Sequence, residues 1–317
     1  MELIEKLEPV ILILAIGLGL LLSNIPLLAS NTGNLINLFL CLKLYGLFLE
    51  VPLKDLKKSF KNTGFTSASL IINFIWTPLF GYFIGNLFLR GNADILIGFF
   101  MLILTPCTDW YLVFTKIAKG DLNLSLSLLP INLVLQIVLL PIYLLLFFSS
   151  YNSLNYIDLL YSIIIVIVIP FILSQLTKAI VNNNHHQKLS GLFSKYQIVF
   201  LALAVFSIFN SEGSLLFENL KSVLTIFIPL IGFFCVNTLI NLILYKKSNF
   251  SYEEYASLTM TTLARNSPLA LAIAINSFSN RELIAIALVI GPLIELPVLY
   301  IVSKFLLRVK NSSFKNY

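Results

Sequence analysis

Residues 104–121 have the sequence LTPCTDWYLVFTKIAKGD, and residues 263–277 have the sequence LARNSPLALAIAINS. In each stretch a hydroxyl residue precedes a proline inside a long apolar run, as Thr105-Pro106 and as Ser267-Pro268. Proline disrupts the preceding helical turn, whereas Ser or Thr followed by proline is a favourable start for a new helix. Both dipeptides therefore predict a helix break at which a half-helix starts.

The apolar runs around these dipeptides belong to a chain that is hydrophobic throughout. Of its 317 residues, 58% are hydrophobic and 11% are charged, whereas a soluble domain has roughly 25% charged residues. This composition excludes a soluble enzyme, a disordered chain and a disulfide scaffold, and it predicts an integral membrane protein in the lipid bilayer. The net charge of +6 does not indicate nucleic-acid binding, because the basic residues occupy short gaps between apolar spans.

Ten continuous apolar runs are long enough for spanning helices and too long for β-barrel strands. They cover residues 9–29, 33–50, 65–89, 95–118, 122–149, 157–181, 195–211, 220–245, 253–277 and 282–308. Apart from Lys43 and Arg265, which fall well within spans, 16 of the Lys and Arg residues are assigned to the side that holds both termini and 3 to the other side. The positive-inside rule therefore predicts cytoplasmic termini in the plasma membrane.

The two breaks are related by a fixed offset along the chain. Pro106 and Pro268 are 162 residues apart, and each is followed by another proline 24 residues later. Five predicted spans separate corresponding elements, so the second half would be inserted upside down, as in many transporters. We predict one membrane transporter domain over residues 1–317, with repeats at about 9–149 and 157–308.

Ionisable residues inside spans are rare because each costs roughly 2.5–3.5 kcal/mol at the bilayer centre. The candidates for coupling or charge pairing are Lys43, Asp109, Arg265 and Glu295. If the two breaks meet, Asp109 and Arg265 can pair, and a purely structural ion pair is the alternative. A further alternative is that Arg265 supplies a fixed positive charge where another transporter keeps a sodium ion. Glu295 lies between two prolines and needs a proton or a cation partner.

Polar side chains cluster at the breaks, where the N–H groups of half-helices favour a bound anion. The candidates for substrate binding are Cys107, Thr108, Asp109, Asn266, Ser267 and Glu295. Cys107 has two open interpretations, a small apolar filler or a thiol that binds a soft ion at a helix start. Asn73 and Asn132 are amides in mid-span that line a polar path or bond between helices. We predict no catalytic residue, no cofactor and no metal cluster.

Several segments resemble the bile acid/sodium symporter superfamily over most of the chain. The segments LYGLFLEVPLKDLKKSFKN (44–62) and INFIWTPLFGYFIG (72–85) resemble its second and third spans. Three further segments resemble the arsenite-efflux permease branch of this superfamily. They are TPCTDWYLVFTKIAKGD (105–121), ARNSPLALAIAINSF (264–278) and IGPLIELPVL (290–299).

The resemblance implies an all-α integral membrane fold with ten transmembrane helices in two inverted five-helix repeats. A panel domain and a core domain are implied, with helices 4 and 9 broken and crossing in the core. The cysteine of a Pro-Cys-Thr motif and the glutamate of a Gly-Pro-x-x-Glu motif form the functional pair of the arsenite branch. In this chain they are Cys107 and Glu295.

The resemblance also implies secondary active export of arsenite by alternating access. Asp109 and Arg265 depart from the pattern, because they add charge where the arsenite permeases have less. A sodium-coupled symporter of a small organic anion, such as a bile-acid-like molecule or a carboxylate, is therefore the alternative. The expected partner is a small molecule or an inorganic oxyanion, and coupling to protons or to sodium stays open.

Overall fold

A computed structural model describes residues 3–23, 25, 32, 35–50, 62–108, 110–148, 161, 164–211, 217–278 and 281–313. These residues are helical, apart from turns and one isolated β-bridge. The α-helices are α1 (Leu3–Leu22), α2 (Ile36–Glu50), α3 (Thr63–Ile71), α4 (Thr77–Leu89), α5 (Ala93–Leu104), α6 (Trp110–Ile117), α7 (Leu122–Phe148), α8 (Ile169–Ile180), α9 (Asn183–Ser211), α10 (Leu220–Leu224), α11 (Phe227–Lys247), α12 (Tyr252–Leu263), α13 (Ser267–Ser277) and α14 (Glu282–Ser313). The π-helical turns Ile72–Trp76 and Ile164–Val168 lead into α4 and α8.

Five helical stretches in the described part of the chain are long and apolar enough to cross a membrane. They are Thr63–Leu89, Leu122–Phe148, Asn184–Ser211, Leu220–Lys247 and Glu282–Asn311. Shorter apolar helices cover Val10–Leu22, Ala93–Leu104, Ile169–Ile180 and Ser267–Ser277. Large apolar side chains such as Leu21 and Ile180 are more than 70% exposed, as expected for side chains that face lipid.

Several predicted spans have different bounds in the structure. The span predicted at 195–211 belongs to a helix that begins at Asn183, and the span predicted at 282–308 continues to Ser313. The polar residues at these ends are compatible with helix. Hydrophobicity therefore marks the apolar part of a helix, whereas the helix itself extends beyond that part.

The chain forms two compact units, each built from both halves of the sequence. The first consists of the described residues within Met1–Val51, Leu144–Leu224 and Pro268–Ile290. In it α9 packs against α1 and α2, and α8 packs against α2. The ring of Tyr45 meets the ring of Phe193 edge-on, with centroids 5.0 Å apart, and the Tyr45 hydroxyl lies 2.8 Å from Thr177 Oγ1.

The second unit consists of the described residues within Pro52–Tyr143, Thr225–Ser267 and Gly291–Tyr317. Helices α3, α7 and α12 meet in a cluster of apolar side chains: Phe65, Leu128, Ile131 and Leu258. Helix α4 packs against α5 and α11, and α12 packs against α6 and α11. The two helix interruptions that follow α5 and α12 both lie in this unit, so its packing determines how they are arranged.

Helix α12 has a capping box at its N-terminus. Ser251 Oγ accepts a hydrogen bond from the Glu254 backbone N–H at 3.1 Å, and the Glu254 carboxylate accepts one from the Ser251 N–H at 2.8 Å. These bonds satisfy two backbone donors that a helix start leaves open. They fix the beginning of the helix whose C-terminus reaches the second interruption.

Candidate functional site

The segments 105–108 and 264–266, which follow α5 and α12, are the centre of the candidate site. Helix α5 ends at Leu104 and α6 begins at Trp110, while α12 ends at Leu263 and α13 begins at Ser267. The structure thus places Thr105 and Pro106 just after α5, and Ser267 and Pro268 at the start of α13. A helix interruption frees backbone groups, which in lipid must find partners within the protein.

The two interrupted segments run antiparallel where they contact each other. An isolated β-bridge joins Pro106 and Arg265. Beside it, the Cys107 backbone N–H donates to the Ala264 carbonyl at 3.0 Å. The segments are therefore in direct contact, and part of the hydrogen bonding lost by each helix is recovered across the pair.

Thr105 and Asn266 add further hydrogen bonds between the segments. The Asn266 N–H donates to the Thr105 carbonyl at 2.6 Å, and Thr105 Oγ1 lies 3.1 Å from the Asn266 carbonyl. The Thr105 hydroxyl also lies 3.1 Å from the Leu102 carbonyl. Thr105 is thus not the N-cap that its sequence context suggests, because α6 begins five residues later.

Thr105→Val should therefore lower the free energy of unfolding by about 1 kcal/mol, the usual contribution of one hydrogen bond. Valine keeps the shape of threonine and removes only the hydroxyl. The measurement is the thermal stability of the purified protein. Thr259→Val is the matched control, because Thr259 is also buried and its hydroxyl bonds to the Tyr255 carbonyl of its own helix. Thr259→Val should lose less, because the Tyr255 carbonyl is also bonded by the main chain of its own helix. Equal losses for both variants would contradict a bond between the segments.

Cys107 lies three residues before α6 and bonds to the first residue of that helix. Its Sγ accepts a hydrogen bond from the Trp110 N–H at 3.2 Å, and its side chain is 5% exposed. The sulfur thus occupies the position near a helix N-terminus where electron-rich atoms are favoured. The apolar-filler interpretation does not account for this hydrogen bond.

Arg265 is fully buried between the two interruptions, where its guanidinium meets neutral oxygen atoms. Nη1 donates to the Ile103 carbonyl at 2.8 Å, and Nε donates to the Leu263 carbonyl at 3.1 Å. Nη2 donates to Asn73 Oδ1 at 3.1 Å and also to the Thr262 carbonyl. The charged group is therefore fixed by the ends of α5 and α12 rather than being mobile in a cavity.

Two further groups complete the surroundings of Arg265. Its Cζ lies 4.9 Å from the centroid of the Phe233 ring, a cation–π distance. Glu295, which is 3% exposed, accepts a hydrogen bond from the Arg265 backbone N–H at 2.7 Å. A buried carboxylate and a buried guanidinium thus share one cluster, and the carboxylate is anchored by the main chain.

The remaining predicted site residues fall into three groups. Thr108 and Ser267 are buried beside the paired segments, with Asn266 Nδ2 donating to Thr108 Oγ1 at 3.3 Å. Lys43 is buried in α2, which belongs to the first unit. Asp109 lies outside the described residues, so its pairing with Arg265 stays a prediction.

Asn73 and Phe233 also contact Arg265. The sequence singles out Asn73 only as a mid-span amide, and it does not single out Phe233. Asn73 is fully buried in the π-helical turn Ile72–Trp76, and its Nδ2 donates to the Thr261 carbonyl at 3.3 Å. A lone amide in mid-span is the sequence signal for such a residue, and π-helical turns are frequent at functional sites. Phe233 has no comparable signal among the many aromatic residues of the spans.

Comparison with known proteins gives consistent matches. Residues 37–219, more than half of the chain, match the model of the Sodium Bile acid symporter family. The Arsenical-resistance protein Acr3 of Corynebacterium glutamicum is 26% identical over 93% of this chain and 86% of its own length. Acr3 of Alkaliphilus metalliredigens is 24% identical over 95% of this chain and 90% of its own length. The uncharacterized protein YbaS of Bacillus subtilis is 24% identical over 72% of this chain and 74% of its own length.

The family match covers the first interruption and ends before the second, whereas the alignments with both Acr3 proteins extend over almost the whole chain. Together with the apolar helices, these matches confirm the predictions of a multi-pass membrane transporter and of a protein that is not an enzyme. The chain belongs to the sodium bile acid symporter family.

Proposed function

We propose that this protein is a secondary active transporter that exports arsenite by alternating access. The observation that carries the proposal is that Cys107 and Glu295 are hydrogen-bonded to two consecutive residues. The Cys107 N–H bonds to the Ala264 carbonyl, and the Glu295 carboxylate bonds to the Arg265 N–H. A soft sulfur ligand and a buried carboxylate are thereby held at one short segment between two half-helices.

In this proposal Cys107 contacts trivalent arsenic, because soft ligands such as sulfur suit soft ions. Glu295 carries the proton or orients the substrate. Thr108 and Asn266, which bond to each other beside Cys107, supply polar groups for the hydroxyls of arsenite. Ser267 and Asp109 complete the predicted substrate set, and Lys43 belongs to the predicted coupling residues. The names of the two Acr3 relatives support the choice of substrate.

The proposed architecture has ten transmembrane helices in two inverted five-helix repeats, at about 9–149 and 157–308. Both termini would be cytoplasmic and the membrane would be the plasma membrane. The five long apolar helices and the shorter ones support a multi-span fold, and two interrupted helices at corresponding positions support the repeat. Alternating access would move one part of the protein past the substrate site.

Cys107→Ser should weaken arsenite transport by roughly tenfold, which corresponds to about 1.4 kcal/mol. The hydroxyl keeps the size and the hydrogen bond to Trp110 but is a hard ligand. The measurement is the arsenite resistance of a bacterial strain that lacks its own arsenical efflux proteins and expresses this chain. Cys235→Ser is the matched control, because Cys235 is exposed on α11 and should not affect resistance.

Two outcomes of this experiment would contradict the proposal. Wild-type protein that is well expressed but confers no resistance would overturn arsenite as the substrate. Resistance that survives Cys107→Ser unchanged would overturn the role of the thiol. In the first case, uptake of small organic anions into proteoliposomes tests the alternative substrate class.

A further inference from the structure

The C-terminal carbonyls of α12 are satisfied in part by a cationic side chain. The last four carbonyls of a helix have no partner within it. At the end of α12, neutral donors take the first two, because Ala264 N–H bonds to Met260 O at 3.1 Å and Asn73 Nδ2 bonds to Thr261 O. The last two carbonyls, of Thr262 and Leu263, both accept hydrogen bonds from the Arg265 guanidinium.

The end of α5 is bound by the same guanidinium through one carbonyl, and the Thr105 hydroxyl lies close to two others. The Thr105 hydroxyl lies 3.2 Å from the Met101 carbonyl and 3.1 Å from the Leu102 carbonyl. The next carbonyl, of Ile103, accepts from Arg265 Nη1 at 2.8 Å. The guanidinium thus joins the C-termini of two helices, which both carry partial negative charge.

Asn73 and Phe233 close this site around the guanidinium. Asn73 Oδ1 provides a fourth neutral oxygen, and the Phe233 ring covers Cζ at 4.9 Å. Arg265 is 2% exposed, and both Asn73 and Phe233 are fully buried. The planar, five-donor fork of arginine suits such a set of fixed oxygen atoms.

The family name implies sodium, an ion that oxygen atoms coordinate. In transporters with interrupted helices, unwound carbonyls and half-helix C-termini coordinate sodium. The oxygen atoms around the guanidinium are of the same kind: three are carbonyl oxygens and one is an amide oxygen. All four bond to the guanidinium, so a sodium ion among them would compete for its ligands and be repelled by its charge. These residues therefore do not fit a bound sodium ion.

We propose that Arg265 is a tethered cation that takes the place of sodium between the C-termini of α5 and α12, so that no sodium ion binds there. It follows that substrate movement does not require sodium at this site, and this consequence rests on the proposed transport function. The replacement of sodium by the Arg265 guanidinium does not rest on that function, because it concerns only the folded protein. The two statements can therefore be tested separately.

The first test measures the thermal stability of the purified full-length protein in detergent, in sodium chloride and in choline chloride at equal ionic strength. The wild-type melting temperature should be the same in both salts. A sodium-specific rise in the wild-type protein would overturn the proposal. The result does not depend on any substrate, so failure of the arsenite proposal leaves it unaffected.

The second test removes the tethered cation with Arg265→Ala. The variant should be less stable than the wild type, and sodium or guanidinium ions at low concentration should restore stability. Since a ligand that binds only the folded state stabilises it by mass action, we expect a rise of roughly 3 °C for each tenfold excess over the dissociation constant. A folded variant that responds to neither ion would overturn the proposal.

Matched variants separate a cation site from general effects of salt. Arg90→Ala removes an exposed arginine at the end of α4 and should respond to sodium as the wild type does. Arg265→Met fills the space with apolar atoms and should gain nothing from sodium or guanidinium. Sodium-specific stabilisation of either control would overturn the assignment to Arg265.

A variant that keeps the charge makes the test independent of the folding of Arg265→Ala. Arg265→Lys retains a cation but offers fewer donors, so it should fold and show no sodium-specific rise. A sodium-specific rise in this variant would overturn the proposal. In proteoliposomes, transport by the wild type should have the same rate with sodium and with choline. A sodium requirement there would overturn the coupling statement alone.

Discussion

Glu295→Leu is expected to abolish transport and to lower the free energy of unfolding by roughly 1.5–3 kcal/mol, the range for a hydrogen bond to a charged group. The carboxylate is 3% exposed and is anchored at 2.7 Å by the Arg265 N–H. Leucine would leave this buried donor without an acceptor. It would also remove the negative charge from the cluster that holds the guanidinium, which leaves a buried positive charge less compensated.

Glu295→Gln distinguishes the charge from the hydrogen bond. The amide oxygen can still accept from the Arg265 N–H, so stability should be close to that of the wild type. Transport should still be lost, because an amide cannot carry a proton or balance a charge during the cycle. The measurements are melting temperature and arsenite efflux from loaded vesicles.

Glu282→Gln is the matched control for both variants. Glu282 lies in the first turn of the same helix, α14, and is partly exposed. Its substitution should leave transport unchanged. Normal efflux by a folded Glu295→Gln protein would remove Glu295 from the mechanism and leave the hydrogen bond to Arg265 as its function.

Sequence patterns locate the interruptions because proline acts through local backbone chemistry. The pattern at Ser267-Pro268 coincides with the first residues of α13. The pattern at Thr105-Pro106 does not coincide with the start of α6, because the segment after α5 pairs with residues 264–266 instead of entering a helix. Hydrogen bonds between the two segments thus determine where α6 begins.

The environment of Arg265 shows a second limit of sequence patterns. The cost of a buried charge marks Arg265 and Glu295 as functional candidates. The partners of the guanidinium are mostly main-chain carbonyls, and a carbonyl has no sequence signature. Only the arrangement of the ends of α5 and α12 shows that the charge is held by helix C-termini.

Small residues in α4 carry a further signal in the sequence. Gly81 and Gly85 have the small-xxx-small spacing of closely packed membrane helices. In the structure this face of α4 lies against α5. A Cβ atom at Gly85 would lie 2.7 Å from Leu96 Cδ1, and one at Gly81 would overlap Cδ1 of Ile103.

Gly81→Val is therefore expected to lower the free energy of unfolding by about 3 kcal/mol, the upper part of the range for overpacking a core. The Ile103 side chain is fully buried, so its Cδ1 atom can yield only by displacing the atoms packed around it. Because the Ile103 carbonyl binds Arg265 at 2.8 Å, displacing α5 should also reduce transport. Melting temperature and efflux should fall together.

Gly17→Val is the matched control for this substitution. Gly17 also lies in an apolar helix, α1, but a Cβ atom there would have no neighbour within 4 Å. Valine should be tolerated at that position in both assays. If Gly81→Val were as stable and as active as Gly17→Val, close packing of α4 on α5 would not be what positions the Ile103 carbonyl, and the guanidinium site would have to be held by α12 and Asn73 alone.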